Sequence, residues 1–590
     1  MERGPVQSQA QQPEQQAHRT SPSPPFVDLQ TLQALAWENV WAQFQPATPS
    51  GVRWKANVGP FLPGDEAALS LIWNHLAQDV GLLSPAQTQD LRNQLRNLPD
   101  IEDTLVSLES GGESPGLSPK HLLGLKQFAF YGNRLLQLSA DVGLYWTQRQ
   151  RWERLLGEFG CIETASFSLE HILEGPLGRE WVHTYRSLVK AEAKAVHDIA
   201  EATRTRHQVW FDKTGEPVRR DGQLVLPLPL KCDVAEKLKT ESGTRWLRDT
   251  PFESVFEVPD TEAMITCALQ LAAAQEHRKT LEEQLVARFV ANLRANLPDW
   301  QAVVEDVRNV DLRLSRVLLA STWQGCVPRW TESVMSGDGR KPLSLGEPTA
   351  PIELIRGRHP VVVERLEAQG LKYVPLDLRM AGGASVIFGS NMGGKTVAMS
   401  LLGLCQVCVQ YGLPVPATDF ATRLFPVVRF CGNAETDFAT GLSSFGTEVT
   451  RISQAWSDVQ SAGAGLIFLD EPGRSTNPME GEALAVGVLR AAVELGTHTV
   501  LLMATHFSAV LREAGVKKFR VRGLQEGWRA EVGPHQNKLD QLAEWMDYRV
   551  EAIEDERVSG LEALPIAEWL GLPQTVLHES KDFLQRRRKP

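Results

Sequence analysis

The sequence lacks any long apolar run. No stretch approaches the ~18 consecutive apolar residues of a membrane-spanning helix, and the N-terminus lacks the charged-then-apolar pattern of a secretory signal. Cysteine is scarce and odd in number, at 7 in 590 residues, which argues against a disulfide scaffold and is typical of a reducing compartment. Cys405 and Cys408 lie one helical turn apart, where packing is favoured over a zinc or redox role. We expect a soluble, cytoplasmic protein.

The sequence also has no excess of positive charge. The 72 acidic residues outnumber the 61 basic ones and leave a net charge of −11, whereas proteins that hold nucleic acid through its phosphates tend to have basic surfaces. A local basic face can be hidden in this average. The candidates are RTRHQVWFDKTGEPVRR, at residues 204–220, and the terminal RRRKP. The alternative is that these runs are simply solvated.

The sharpest motif is a phosphate-binding pattern in SVIFGSNMGGKTVAMSLLGL. It fits G-x-x-x-x-G-K-[ST] and stands between an apolar strand pattern and a helix pattern, which places the loop at a helix N-terminus. Glycine lets the backbone N–H groups approach phosphate oxygens closely, the lysine meets the β- and γ-phosphates and the threonine ligates magnesium. An ordinary Gly-rich turn is the alternative. The predicted nucleotide-binding residues are Gly389, Ser390, Asn391, Met392, Gly393, Gly394, Lys395 and Thr396.

A second motif, AGLIFLDEPGRSTNP, follows about 75 residues downstream. Its apolar run predicts a buried parallel strand that ends in Asp470 and Glu471, and α/β sheets bind ligands at the ends of such strands. We predict that Asp470 holds the magnesium shell and that Glu471 is the general base for the attacking water. The alternative for an isolated Asp-Glu pair is a helix N-cap.

Two further segments complete a set that resembles the ATPase domain of MutS proteins. DFATGLSSFGTEVTRI lies between the two motifs, and TVLLMATHFS, a strand pattern ending in Thr505 and His506, follows them. MutS proteins carry GxNMGGKS/T, GxSTFxxE, LDExGRGT and ATH in this order. The resemblance implies ATP and Mg²⁺ as cofactors, a homodimer in which Ser443 and Ser444 reach the partner's γ-phosphate, and His506 as the residue that senses it. A structural strand-end histidine is the alternative for His506.

This chain departs from the family pattern at two places. The P-loop reads GSNMGGKTV instead of GPNMGGKST, and Ser475 replaces the second glycine of GRGT. Because Lys395, Thr396, Asp470 and Glu471 are intact, we expect ATP hydrolysis, with Lys395, Glu471 and His506 as its catalytic residues. The effect of Ser475 is left open by the sequence.

The predicted fold is multidomain: an all-α core and lever region with a small β-containing clamp insert, an α/β P-loop ATPase domain of the ABC type, and a C-terminal helical segment. Periodicity, Gly/Pro breaks and composition set the boundaries. The first residues are rich in Gln, Pro and Ser and predict disorder. The expected divisions are a tail at 1–25, a helical core at 26–205, a reduced clamp insert at 206–260, lever helices at 261–345, the ATPase domain at 346–545 and a helical dimerisation segment at 546–590.

The short insert resembles the reduced clamp of the second bacterial MutS branch, which acts outside mismatch correction. The resemblance implies that the mismatch-reading and connector domains and the branch's C-terminal nuclease are absent from this chain. Leu281, Leu285, Phe289 and Leu293 recur every four residues and predict one apolar stripe along a lever helix.

Three functions fit these observations. The first is a MutS-type ATPase that acts on DNA, in mismatch-repair-like or recombination reactions, without direct mismatch readout. The second is a MutS-like ATPase that reactivates a cobalamin-dependent aminomutase, a group that DEPGRSTNPMEGEAL and AEWMDYRVEAI resemble. The third is a nucleotide-gated scaffold with little turnover. The acidic charge and short clamp favour a protein client, whereas the breadth of the family favours DNA.

Overall fold

The architecture is described from a computed structural model. It covers residues 24–109, 117–159, 170, 172, 174–175, 178–331, 352–389, 394–432, 444–524, 546–553 and 563–588. The chain forms two compact units. The first comprises Met1–Gln45, Lys55–Thr88 and Arg313–Pro590, and the second comprises Pro46–Trp54 and Gln89–Leu312.

Helices dominate the described residues, and none of these helices is both long and apolar enough to cross a bilayer. The α-helices span Leu29–Ala34, Trp37–Gln43, Pro49–Asn57, Glu66–Leu82, Pro85–Leu95, Glu102–Glu109, Pro119–Asp141, Arg149–Phe159, Val182–Thr214, Leu228–Thr240, Glu262–Ala295, Leu297–Trp323, Pro360–Ala368, Lys395–Gln410, Ser444–Ala462, Pro478–Glu494, Ala563–Leu570 and Gln574–Arg588, with 3-10 helices at Arg179–Trp181 and Ser508–Arg512. The strands are β1 Gln223–Pro227, β2 Arg245–Asp249, β3 Glu253–Glu257, β4 Arg329–Trp330, β5 Ile352–Gly357, β6 Leu376–Met380, β7 Gly383–Phe388, β8 Asp419–Thr422, β9 Val428–Cys431, β10 Gly465–Asp470, β11 Thr499–Thr505, β12 Lys517–Leu524 and β13 Met546–Ala552.

Two long helices, Val182–Thr214 and Glu262–Ala295, pack against each other in the second unit. Leu285, Phe289 and Leu293 of the predicted stripe are buried, because their four-residue spacing keeps them on one helix face. The first of these helices continues nine residues past the boundary that we placed after residue 205. Gly215, with a φ of 67°, caps it, and glycine adopts this left-handed conformation without steric cost.

A small antiparallel sheet with strand order β1-β3-β2 connects these two long helices. Its apolar face packs on the helix Leu228–Thr240 around Leu224, Leu226 and Phe256. The alternating burial of β1 places both leucines on the inner face. The β-type pieces expected in the insert are therefore one three-stranded sheet with its own small core.

Gly132 lies against a buried aromatic cluster in the second unit. A Cβ on Gly132 would lie 2.1 Å from the ring of Trp152, whereas a Cβ on Gly124, in the same helix, would meet nothing within 4 Å. Gly132→Ala is expected to destabilise this unit by about 1–3 kcal/mol, because overpacking forces the buried ring to move. Gly124→Ala is the matched control and should stabilise the helix by up to about 1 kcal/mol. Thermal unfolding monitored by tryptophan fluorescence measures the stability of both variants. Equal shifts of the unfolding temperature in Gly132→Ala and Gly124→Ala would contradict this packing.

The first unit is built on a six-stranded sheet with strand order β13-β12-β7-β11-β10-β9. All neighbouring strands from β12 to β9 are parallel, and only β13 is antiparallel. Strands β7, β10 and β11 are almost entirely buried, as expected of parallel strands covered by helices on both faces. A second sheet, of order β4-β8-β5-β6, belongs to the same unit. The carboxyl ends of β7, β10 and β11 therefore meet at one edge.

The segment around Phe26 contacts this sheet instead of the helical core in which we placed it. The N–H of Val428 in β9 donates to the carbonyl of Phe26 at 2.8 Å, and the N–H of Phe430 donates to Oγ1 of Thr31 at 2.8 Å. Arg429 is buried beside Asp458 and donates to the Phe26 carbonyl. The reason is that β9 is an edge strand whose backbone groups need partners.

The position of β13 contradicts the boundary that we predicted between the ATPase domain and the C-terminal segment. Residues 546–552, which we assigned to the C-terminal helical segment, form β13 and extend the sheet next to β12. Helices follow only at Ala563–Leu570 and Gln574–Arg588. The charged residues of β13 obscured its strand pattern. Asp547, which is buried, and Glu551 both pair with Arg522 of β12.

Candidate functional site

The phosphate-binding motif stands where β7 meets the helix Lys395–Gln410. Gly394 precedes this helix with a φ of 77°, and a Cβ there would lie 2.9 Å from Cδ1 of Tyr548 in β13. Both the left-handed backbone and the close ring require glycine. The helix N-terminus carries a partial positive charge, as an anion site requires. Of the predicted binding residues, Ser390, Asn391, Met392 and Gly393 lie outside the described residues.

Lys395 is the first residue of the helix, and its side chain is only 4% exposed. Its Nζ donates to the carbonyl of Gly389 at 2.8 Å and lies 3.3 Å from Oε1 of Glu471. Burial lowers the pKa of Lys395, although the neighbouring carboxylate opposes this shift. A buried ammonium held among oxygen acceptors is well suited to exchange them for phosphate oxygens.

Asp470 lies at the end of β10 beside the start of the same helix. The Thr396 hydroxyl donates to its Oδ2 at 2.6 Å, whereas the buried Oδ1 has no hydrogen-bond partner among the described residues. Burial raises the pKa of Asp470, the hydrogen bond from Thr396 opposes the shift, and the charge of Glu471 adds to it.

The unpaired oxygen of Asp470 fits a magnesium site. The described residues contain no group of three or more His, Cys, Asp or Glu side chains suited to hold a metal. Mg²⁺ does not need one, since it commonly takes one or two carboxylates together with substrate phosphates and water. A carboxylate with a free oxygen, next to a threonine hydroxyl and a helix N-terminus, is a donor set that fits Mg²⁺.

Glu471 follows β10 in the left-handed conformation, with a φ of 55°. Its N–H donates to the carbonyl of Ala504 in β11 at 2.9 Å, and its side chain is 7% exposed. Oε2 lies 3.3 Å from the guanidinium of Arg474, and Oε1 lies 4.0 Å from Nδ1 of His506. A left-handed non-glycine residue costs energy and persists only where its surroundings impose it. Strands β10 and β11 thus bring Glu471 and His506 together.

Ser444 begins the helix Ser444–Ala462, and Ser443 lies outside the described residues. A cavity of about 40 Å³ is lined by Ser444, Asp470 and Glu471. One turn into the helix, the Glu448 carboxylate accepts hydrogen bonds from the Gly473 N–H and the Ser475 hydroxyl. The structure thus brings Ser444 close to the carboxylates of Asp470 and Glu471 in the same chain.

Three side chains at this site were not predicted from the sequence: Arg474, Glu448 and Tyr548. Glu448 is the final residue of the GxSTFxxE pattern, and that position was the available signal. Arg474 lies three residues after Glu471 in a loop, and no periodicity marked it. Tyr548 reaches the P-loop from β13, about 150 positions away in sequence, so no local pattern could identify it.

The two buried cysteines take no part in this site. Cys405 and Cys408 lie in the middle of the helix Lys395–Gln410 and are fully buried. Burial raises the pKa of both thiols, which makes them poor nucleophiles and poor metal ligands. Their surroundings agree with the packing role that was favoured from the sequence.

A P-loop between a central parallel strand and a helix, with an Asp-Glu pair ending another strand of the same sheet, defines the class of P-loop nucleotide-binding domains. Residues 385–587 match the family model of MutS domain V. Within this match, residues 385–587 form a MutS-type domain V.

Three curated relatives are similar over most of this chain but are longer. Endonuclease MutS2 of Thermotoga petrophila is 25% identical over 425 residues, covering 70% of this chain and 50% of that protein. Endonuclease MutS2 of Anaeromyxobacter sp. is 28% identical over 480 residues, covering 78% and 54%. Endonuclease MutS2 of Lactococcus lactis subsp. cremoris is 24% identical over 584 residues, covering 94% and 65%. The chain thus spans about half the length of the first two.

Proposed function

We propose that this chain is an ATPase that binds MgATP at the carboxyl ends of β7, β10 and β11. The observation that carries the proposal is the pair of contacts across this edge: Lys395 with Glu471, and Thr396 with Asp470. These are the four side-chain types that phosphoryl transfer to water needs, namely a phosphate cation, two metal-shell oxygens and a base. They meet at the ends of these strands although 74 positions separate Thr396 from Asp470, with Lys395 and Glu471 buried and Thr396 exposed.

Each side chain has a proposed role. Lys395 exchanges its contacts for the β- and γ-phosphate oxygens, and the N–H groups of the P-loop and helix hold the remaining charge. Thr396 and Asp470 would hold Mg²⁺, which would supply charge neutralisation at the transferred phosphoryl group. Glu471, once Lys395 turns to phosphate, accepts a proton from the attacking water. His506, half-exposed and 4.0 Å from Glu471, senses the γ-phosphate.

The active form is proposed to be a homodimer. Ser443 and Ser444 of one subunit would contact the γ-phosphate bound by the other, because the helix that Ser444 begins offers N–H donors to an anion. Nucleotide state would then control dimer closure.

DNA is the proposed partner of this dimer. The relatives are named endonucleases, which suggests nucleic acid as their substrate. Arg204, Arg219 and Arg220 lie exposed near the β1–β3 sheet and are the proposed phosphate contacts. Arg206, which we grouped with them from the sequence, is buried and lies 2.6 Å from Asp260, so it is not available to DNA. If DNA fails as a partner, a protein client such as a cobalamin-dependent aminomutase takes its place.

The test of the ATPase proposal is Mg²⁺-dependent phosphate release by the purified chain. Lys395→Ala is expected to lower kcat/KM by about 10²–10³-fold, the usual loss when one transition-state donor is removed. Lys372→Ala, an exposed lysine of the same unit, is the matched control and should leave the rate unchanged. EDTA should abolish hydrolysis. A rate that Lys395→Ala does not lower would mean that the activity belongs to another site or another protein.

A further inference from the structure

The loop that follows Glu471 is held by a carboxylate from a different element. Glu448, on the helix Ser444–Ala462, accepts a hydrogen bond from the Gly473 N–H through one oxygen and from the Ser475 hydroxyl through the other. Hydrogen bonds to an ionised carboxylate are stronger than those between neutral groups. Both oxygens of Glu448 are therefore committed to one loop, at positions two and four after Glu471.

The backbone of this loop is constrained at further points. Glu471 and Gly473 both have positive φ, of 55° and 82°. A Cβ on Gly473 would lie 2.5 Å from the backbone of Gly481, so the loop is pressed against the next helix. Arg474, in the same loop, reaches back to Glu471 at 3.3 Å. A shift of the loop would therefore move the Glu471 carboxylate or its cation.

We propose that Glu448 is a positioning residue for Glu471, acting through the Gly473–Ser475 loop, and that Ser475 provides a second attachment that a glycine cannot supply. The inference rests on the proposed ATPase function and deepens it. Glu448 lines the same small cavity as Asp470 and Glu471, and both of its carboxylate oxygens accept hydrogen bonds from the loop. Ser475, which departs from the family pattern, strengthens this link because only a side-chain hydroxyl reaches the second oxygen of Glu448.

The link also joins two functional elements of one chain. The helix that carries Glu448 begins at Ser444, the residue proposed to contact the partner's nucleotide, whereas the loop carries Glu471, which acts on the nucleotide of its own subunit. Movement of the helix N-terminus on dimer closure would be transmitted to Glu471 through the two bonds of Glu448. Under this proposal, the Glu448–Ser475 pair links the helix that begins at Ser444 to the loop that carries Glu471.

The test is a double-mutant cycle in kcat with Glu448→Ala and Ser475→Ala, measured on the full chain. Glu448→Ala is expected to lower kcat by about tenfold, equivalent to about 1.4 kcal/mol, with KM for ATP unchanged. Ser475→Ala should give a smaller loss, and it should have no further effect once Glu448 is removed, because coupled partners are not additive. Glu448→Gln should restore most of kcat, since the amide can accept from Gly473 and donate to Ser475.

Controls separate this inference from folding defects and from the ATPase proposal itself. Ser453→Ala, an exposed serine on the same helix, should leave kcat unchanged. Ser475 is exposed, so its variant tests the link even if Glu448→Ala fails to fold. If the parent hydrolyses ATP and both variants keep its kcat, or if their losses simply add, positioning by Glu448 is refuted while the ATPase function stands. If the parent does not hydrolyse ATP, the proposed function itself fails.

Discussion

Glu471→Gln is expected to lower kcat for ATP hydrolysis by about 10²–10⁴-fold, the usual contribution of a general base, while ATP still binds. Glutamine keeps the shape of the side chain but cannot accept the proton of the attacking water. The phosphate-binding groups are untouched, and the buried Lys395, which lies 3.3 Å from Glu471, can pair with phosphate oxygens instead. Single-turnover hydrolysis and equilibrium binding of ATP, measured on the same preparation, separate these two effects.

Glu494→Gln is the matched control, since Glu494 is exposed at the end of the helix Pro478–Glu494. It should hydrolyse ATP at the parental rate. Turnover by Glu471→Gln equal to that of the parent would show that another group is the base.

Because Glu471→Gln is expected to bind ATP without hydrolysing it, this variant should accumulate as the closed dimer when ATP is present. Light scattering with and without ATP measures this, and a monomer in both conditions would rule out the composite site formed with Ser443 and Ser444. Replacement of both serines by alanine in this background is expected to release the dimer without weakening ATP binding to the single subunit.

Binding of duplex DNA is expected to fall steeply with salt, with a log–log slope of about −0.9 for each phosphate contacted, so that six contacts lower affinity by about 10³-fold between roughly 50 and 200 mM salt. Single replacements of Arg204, Arg219 and Arg220 by alanine should each reduce the slope by about one. Arg96→Ala, an exposed arginine elsewhere in the same unit, should leave the slope unchanged. Fluorescence anisotropy of labelled duplex across a salt series measures it.

Two outcomes of this experiment would contradict specific proposals. Matched and mismatched duplexes should bind alike, and a tenfold preference, about 1.4 kcal/mol, would contradict the absence of direct mismatch readout. If duplex, branched and single-stranded DNA all fail to bind and to stimulate hydrolysis at low salt, DNA is not the partner. Capture of a cobalamin-dependent aminomutase by Glu471→Gln would then support the protein-client alternative.

Much of the fold could be predicted because its signals are local. The apolar runs of β7, β10 and β11 predict buried parallel strands from composition alone. The spacing of Leu285, Phe289 and Leu293 predicts a helix with one buried face. The family assignment rested on four motifs in order and is confirmed by the match over residues 385–587. The roles of the individual site residues remain predictions.

The boundaries were harder to predict, because the end of a domain is decided by contacts and not by periodicity. The helix Val182–Thr214 continues beyond residue 205 because Gly215 is the first residue able to cap it. Phe26 joins the sheet of the first unit because β9 lacks a neighbour on one side. Gly215 is a local signal for the end of the helix, whereas the contact of Phe26 with β9 has no signal in the local sequence.

By itself, the sequence determined the motifs that predict phosphate-binding and acid–base chemistry and the kind of element on which each motif lies, because glycine spacing, apolar runs and helical periods act within about ten residues. Only the tertiary structure decided that Tyr548 lies against Gly394, that Glu448 holds the loop of Ser475, and that Arg206 is buried beside Asp260 while its neighbours face water. Contacts between residues that are tens to hundreds of positions apart form only when the elements pack, and that packing depends on the summed burial of the whole chain.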